Sequence, residues 1–135
     1  MAKRPPKKRG EGELASALLA TALAEQDVAA VAFALRNDTV IVPLLPGAGP
    51  PQVRVFRRDE ADRYMLLLFS SAANYVRMLP NETGHRVLEY DAATLREFLE
   101  TNVGVIEAVW FDVAGPSPMQ AAPADIITAL AIPAP

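Results

Sequence analysis

The sequence has no cysteine and a single histidine, His85. The first absence excludes a disulfide framework, a thiolate nucleophile, and zinc or iron–sulfur centres held by cysteine. The second excludes a cluster of histidine ligands within one chain. Lysine is nearly missing as well: Lys3, Lys7 and Lys8 are the only copies, all within the first nine residues. No apolar run reaches the roughly 18 residues that a membrane-spanning helix needs. Much of ordinary enzymology is excluded before any motif is read.

What remains is a chain of 135 residues, 51% of them hydrophobic. That length suits one domain with a real core and leaves little room for a second. The formal net charge of −3 is unevenly spread. Lys3, Arg4, Lys7, Lys8 and Arg9 precede every acid, and beyond Gly10 the 16 acids face arginines alone. Residues 1–12 contain Pro5-Pro6 and no large apolar side chain after Met1, so the expectation is a disordered basic tail. Residues 13–135 are then a single domain. Nucleic acid would be met only through those five basic residues. The tail has no aromatic residue for base stacking and the body repels phosphate, so a solvated terminus is the preferred reading.

Residues 1–24 have the outline of a secretory signal, a basic stretch before an apolar segment ending Ala22-Leu23-Ala24. Glu11 and Glu13 interrupt that outline. Leu14, Leu18, Ala22 and Glu25 follow a helical row, with Leu19 and Leu23 beside it, as on an amphipathic helix of a folded domain. A cytoplasmic location is therefore expected.

Periodicity predicts a helix over 14–26 and a second capped by Asp27, with Val28, Val31, Ala32 and Leu35 inward. Strands follow over 39–45, 52–57 and 63–69; Pro43 pushes the first toward an edge. The run Tyr64-Met-Leu-Leu-Leu-Phe69 suits a strand covered on both faces. Ser70-Ser71 offers a cap for a short helix, 86–90 reads as a strand, and Asp91 caps a helix with Leu95, Phe98 and Leu99 inward. The segment 106–113 is a strand, 114–122 a loop, and Pro123 opens a last helix carrying Ile126, Ile127 and Leu130. The expected fold class is α+β (α/β-like): a mixed sheet of about five strands with helices packed on it, in the order α-α-β-β-β-α-β-α-β-α. The strand–helix–strand repeats of the second half favour right-handed parallel crossovers.

Three stretches carry a family resemblance. Leu66-Leu-Leu-Phe-Ser-Ser71, followed by a short helix ending Met78-Leu-Pro80, resembles the strand-to-helix stretch of the SseB-type N-terminal domain. Asn37-Asp-Thr-Val-Ile-Val-Pro-Leu44 is similar to that family's strand ending in Val-Pro. Glu107-Ala-Val-Trp-Phe-Asp112 and Met119–Leu130 stand where the family has its last strand and closing helix. The resemblance spans roughly residues 14–132. At one place the chain departs from it: the family often ends that strand in Asn-Pro, where this chain has Asp112-Val113, with Pro116 later. The resemblance implies a small bacterial α/β domain, often of unassigned function, and no enzyme activity is carried over from it.

Several local features invite chemistry and yield plainer readings. Asp59-Glu-Ala-Asp62 spells a helicase box, but no GxxxxGK[ST] loop accompanies it, so it reads as a turn of solvated acids. Gly47-Ala-Gly49 is followed by Pro50-Pro51 and a strand, not a helix, so it is no phosphate cradle. His85 stands in a polar loop with Glu82 as its nearest acid and no marked nucleophile. The acid pairs Asp59/Asp62 and Glu97/Glu100 have no apolar surround to raise a pKa. Arg54, Arg57, Arg58 and Arg63 cluster, yet Asp59, Glu60 and Asp62 would neutralise them. The most interesting set is Ser70, Ser71, Asn74, Asp112 and Ser117. These residues lie beyond the carboxyl ends of two strands, where ligands collect in open α/β sheets, and Ser70 and Ser71 precede a helix. They are the candidate small-molecule or anion-binding residues, with a cryptic hydrolytic site around Ser70-Ser71 as a further form of the same alternative, against the simpler reading that a serine only caps the helix. No catalytic set, metal site or cofactor is expected. The main functional expectation is a non-catalytic binding or protein-interaction module whose partner is another protein or a second copy of itself.

Overall fold

Each helix begins where a local residue relieves its unpaired N–H groups. The computed structural model describes residues 14–132, so the basic tail expected over 1–12 lies outside the described residues. Helix α1 (Ala17–Ala24) starts at Ser16, α2 (Val28–Asn37) at Asp27, α3 (Ala72–Met78) at Ser71 and α4 (Ala92–Asn102) at Asp91; in each the cap side chain accepts an N–H three residues on. Helix α5 (Pro123–Leu130) has no side-chain cap and instead opens on Pro123, which lacks an N–H to satisfy. Helix α1 is shorter than its apolar pattern predicts. Leu14 and Ala15 are extended, and Ala15 bridges Ser71, with Ser16 N–H donating to Ser70 O at 2.6 Å. The inward residues of α1 are Leu19, Ala22 and Leu23, while Leu18 is exposed. In α2 Val31, Ala34 and Leu35 are buried and Val28 faces out.

The strands are β1 (Val40–Leu44), β2 (Tyr64–Leu68), β3 (Arg86–Tyr90), β4 (Ile106–Phe111) and β5 (Met119–Ala121). They form a two-stranded sheet β1-β3 and a three-stranded sheet β2-β4-β5. β1 and β3 are antiparallel, β2 and β4 parallel, and β4 and β5 antiparallel. An antiparallel bridge between Ile41 and Phe69 stitches the two sheets together. The fold is α+β, with five helices and five strands among the described residues.

Four expectations change in detail. The segment 52–57 is not a strand. It touches β1 through Leu44–Val53 and β2 through Phe56–Met65, as isolated bridges. Arg54 N–H donates to Pro43 O at 2.9 Å, so Pro43 presents this segment with a carbonyl and no N–H, and half of that pairing is lost. β1 has β3 as its one ladder partner, but its other side is covered by isolated bridges to Phe69 and Val53, and all five of its residues are buried. The fifth strand lies instead in the predicted loop, at Met119–Ala121, held by pairing with β4. Finally, the parallel crossover joins β2 to β4, and β3 leaves it to pair with β1.

The two faces of this layer are unequally covered. Val40, Val42, Leu66, Leu68, Val109 and Phe111 enter the larger core beneath α1, α2, α4 and α5. Ile41, Leu67, Phe69 and Val87 enter a smaller core with Ala72 and Tyr75 of α3. The α3 helix has seven residues, so it is about 10 Å long. Five strands at about 4.8 Å spacing span about 20 Å, which leaves α3 able to cover only part of the second face. Leu66 is fully buried between β2 and the larger helical layer. Leu66→Ala is expected to cost about 2–5 kcal/mol, seen as a lower urea midpoint with an unchanged denaturant slope.

Candidate functional site

The carboxyl ends of the parallel pair β2 and β4 are joined by side chains. Ser70 follows β2 and Asp112 follows β4, and both are buried, at 2% and 4% exposure. Ser70 N–H donates to Asp112 Oδ1 at 2.7 Å and its hydroxyl donates to Oδ2 at 2.6 Å. Asn74, on the first turn of α3, donates from Nδ2 to Ser70 Oγ at 3.4 Å. Asp112 has φ +48°, a left-handed conformation that Asp and Asn tolerate better than most residues. Its backbone N–H donates to Leu68 O at 2.9 Å, and its carbonyl accepts from Gly115 N–H at 2.8 Å to close a turn. A Cβ on Gly115 would come within 3.4 Å of Asp112 O and 3.6 Å of Asn74 Nδ2, so this turn lies in ordinary contact range of α3.

Of the candidate set, then, Ser70, Asn74 and Asp112 come together. Ser71 is the α3 cap, accepting from Asn74 N–H at 3.1 Å. Ser117 lies further along the loop, half-buried, and makes no hydrogen bond to the others. The assembled trio is inward-facing, and the carboxylate's acceptors are engaged by Ser70.

The arginine cluster separates into pairs. Arg54 donates from Nη1 to Glu82 Oε1 at 2.6 Å and to Tyr75 Oη at 3.0 Å, and its guanidinium lies over the Phe56 ring at 5.1 Å. This hydrogen bond holds the Glu82 carboxyl below the usual carboxylate range. Burial pushes the Tyr75 phenol up, against the opposing pull of Arg54. His85 places Nε2 at 2.8 Å from Leu79 O and stacks edge-on against Tyr75. Arg54 and His85 thereby tie the 79–85 loop to α3 and to the 52–56 segment. Arg58 binds Glu107 through two hydrogen bonds of 3.0 and 2.8 Å and holds that carboxyl low. Among the described residues no group of three or more His, Asp or Glu side chains is placed to hold a metal ion. None of the described helices is long and apolar enough to cross a membrane.

A groove of about 650 Å³ opens where α3 stops covering the second face. Its floor is Met65 and Leu67 of β2 with Ala108 and Trp110 of β4. Met78 forms one wall and Val113 and Ala114 another, while Arg58, Glu107 and Gln120 stand at its margin. Met78 lies one turn beyond Asn74 on α3, and Val113 directly follows Asp112. The two walls are thus continuous in the chain with the residues of the Ser70–Asp112–Asn74 set. Sequence reading singled out this set but missed the groove. Met65, Ala108 and Trp110 read as ordinary strand positions, and only the limited reach of α3 distinguishes them.

Comparison of the chain with protein-family models, curated proteins and solved structures finds no match.

Two expectations follow from this geometry. Asp112→Asn keeps a residue tolerant of positive φ but replaces the carboxylate that accepts both Ser70 donors with a neutral amide having one acceptor oxygen, so a loss of about 1–3 kcal/mol is expected. Asp112→Ala adds backbone strain and should melt lower still; calorimetry of both variants checks the order. Glu82 has a depressed folded-state pKa, so the stability it contributes is complete above its unfolded pKa and is lost as pH falls toward the folded value. In urea titrations from about pH 5 downward, Glu82→Gln should lose less stability than the parent chain.

Proposed function

We propose that this chain is a non-catalytic protein-interaction module of SseB-type character, working in the bacterial cytoplasm, with the groove beside α3 as the docking face. The observation that carries this reading is the groove over Met65, Leu67, Ala108 and Trp110. An aromatic and two methionines line it, and Trp and Met are enriched where proteins meet because they offer large or adaptable apolar contact. Its few polar groups stand at the margin, as in an interface with an apolar centre and a polar rim. The burial of Ser70 and Asp112 weighs against a ligand reached directly at the strand-to-helix turn. It favours a supporting role there, in which those residues hold the walls of the docking face. The SseB-type character rests on the quoted strand and helix stretches and adds nothing to the choice of a docking role.

The absence of native cysteine makes the test clean. A benzophenone attached to Gln120→Cys, at the groove margin, is expected to cross-link to a polypeptide on illumination in lysate. Val113→Glu, an exposed wall position, should abolish the adduct while leaving far-UV circular dichroism unchanged. Equal yield from the same probe on Glu25→Cys, on the helical side, or no effect of Val113→Glu, would overturn the proposal.

A further inference from the structure

We propose that the outer face of α1 and α2 docks this protein on an anionic lipid surface. Helices on the outside of a folded domain normally carry charged side chains on the face turned away from the core. These two do not. α1 has no charged residue, and α2 has one, the cation Arg36. Leu19, Ala22 and Leu23 of α1 and Val31, Ala34 and Leu35 of α2 are buried. Leu18 and Phe33 turn the other way and are 39% and 46% exposed. The Ser16 hydroxyl donates to Asp38 Oδ2 at 2.9 Å. This bond ties the start of α1 to the end of α2, so the helices run antiparallel and Leu18 lies toward the Phe33–Arg36 half of its neighbour. Arg36 donates from Nη1 to Ala129 O at 3.2 Å, which brings the end of α5, with Ile132 53% exposed, to the same place.

Charge selects the occupant. Lys3, Arg4, Lys7, Lys8 and Arg9 precede α1 in the chain, against Glu11 and Glu13. A net positive segment thus leads into α1 at the end that holds Leu18, Arg36 and Ile132. Asp38, the acid at this end, is half-buried, and its two carboxylate oxygens accept from Ser16 Oγ and Thr39 N–H. The exposed acids Glu25 and Asp27 lie in the turn at the opposite end. A protein partner is held by directed hydrogen bonds as well as apolar contact, about one per 100–200 Å², and Thr21 is the sole polar side chain of α1. A bilayer makes no such demand. It takes apolar side chains at the acyl boundary and draws nearby cations to its anionic headgroups. Either signal alone gives weak, reversible attachment, and the two together give stable attachment. The groove beside α3 lies on the other face of the strands, so a membrane-bound copy keeps it open to the aqueous side.

The test is flotation of the full chain with vesicles of phosphatidylcholine, alone or mixed equally with phosphatidylglycerol, at about 0.15 M salt. Binding is expected to the mixed vesicles only. Phe33→Glu should weaken it by about tenfold or more with far-UV circular dichroism unchanged, and Lys7→Glu combined with Lys8→Glu should do the same. Val105→Glu makes the same change at an exposed apolar site outside both helices and should leave binding close to that of the parent chain. Trp110, on the groove side, should keep its emission on mixed vesicles whose acyl chains are brominated, since bromine quenches only indoles that reach the acyl region. Equal binding to both compositions, binding to neither, indifference to Phe33→Glu or to the lysine reversals, or quenching of Trp110 would overturn the inference. So would a chain that does not float but dimerises in a manner lost with Phe33→Glu, which would give this face to a second copy.

Discussion

The carboxylate of Asp112 is buried with no ion pair reaching it among the described residues, and Ser70 supplies the donors that make this burial tolerable. That arrangement does more than satisfy a polar group. It fixes the end of β2 against the end of β4. Directly beyond Ser70 the chain turns into α3, and directly beyond Asp112 it turns through Gly115. The position of the short helix and the position of the 112–115 turn are therefore both measured from one hydrogen-bonded pair.

The rest of the architecture makes the groove a consequence of unequal supply. Four helices pack on one side of the strands, and their apolar residues fill a continuous core. The other side has α3, the Leu14 segment and the 52–56 segment. Arg54, by binding Glu82 and Tyr75 together, holds this side over β1 and β3. Among the described residues nothing comparable extends over β4 and β5, where apolar side chains are floored by neighbours but not roofed by a helix. A partner layer there would complete the sandwich of helices about a sheet that this class of fold normally achieves within one chain.

Helix starts were legible because capping is local: Asp27, Ser71 and Asp91 do what their spacing to the following apolar rows indicates. The central strands were legible through their apolar runs. The 52–57 segment misled because Val53 and Val55 alternate as a strand should, while the missing N–H that spoils its pairing belongs to Pro43, ten residues before Val53. β5 was hidden because Met-Gln-Ala has little strand propensity of its own and is extended only because β4 offers it a ladder. The Ser70–Asp112 contact was anticipated as a gathering of residues beyond parallel strands, and its inward orientation was not, since exposure depends on how tightly the turn at Gly115 closes on Asn74.

Trp110 is the sole tryptophan of the chain, and it forms part of the groove floor. Its indole is half-buried and borders solvent. Intrinsic ultraviolet emission from this protein therefore originates largely at one spot, and its wavelength should follow how wet that spot is. The fold carries a built-in optical gauge of whether its open side is empty or filled.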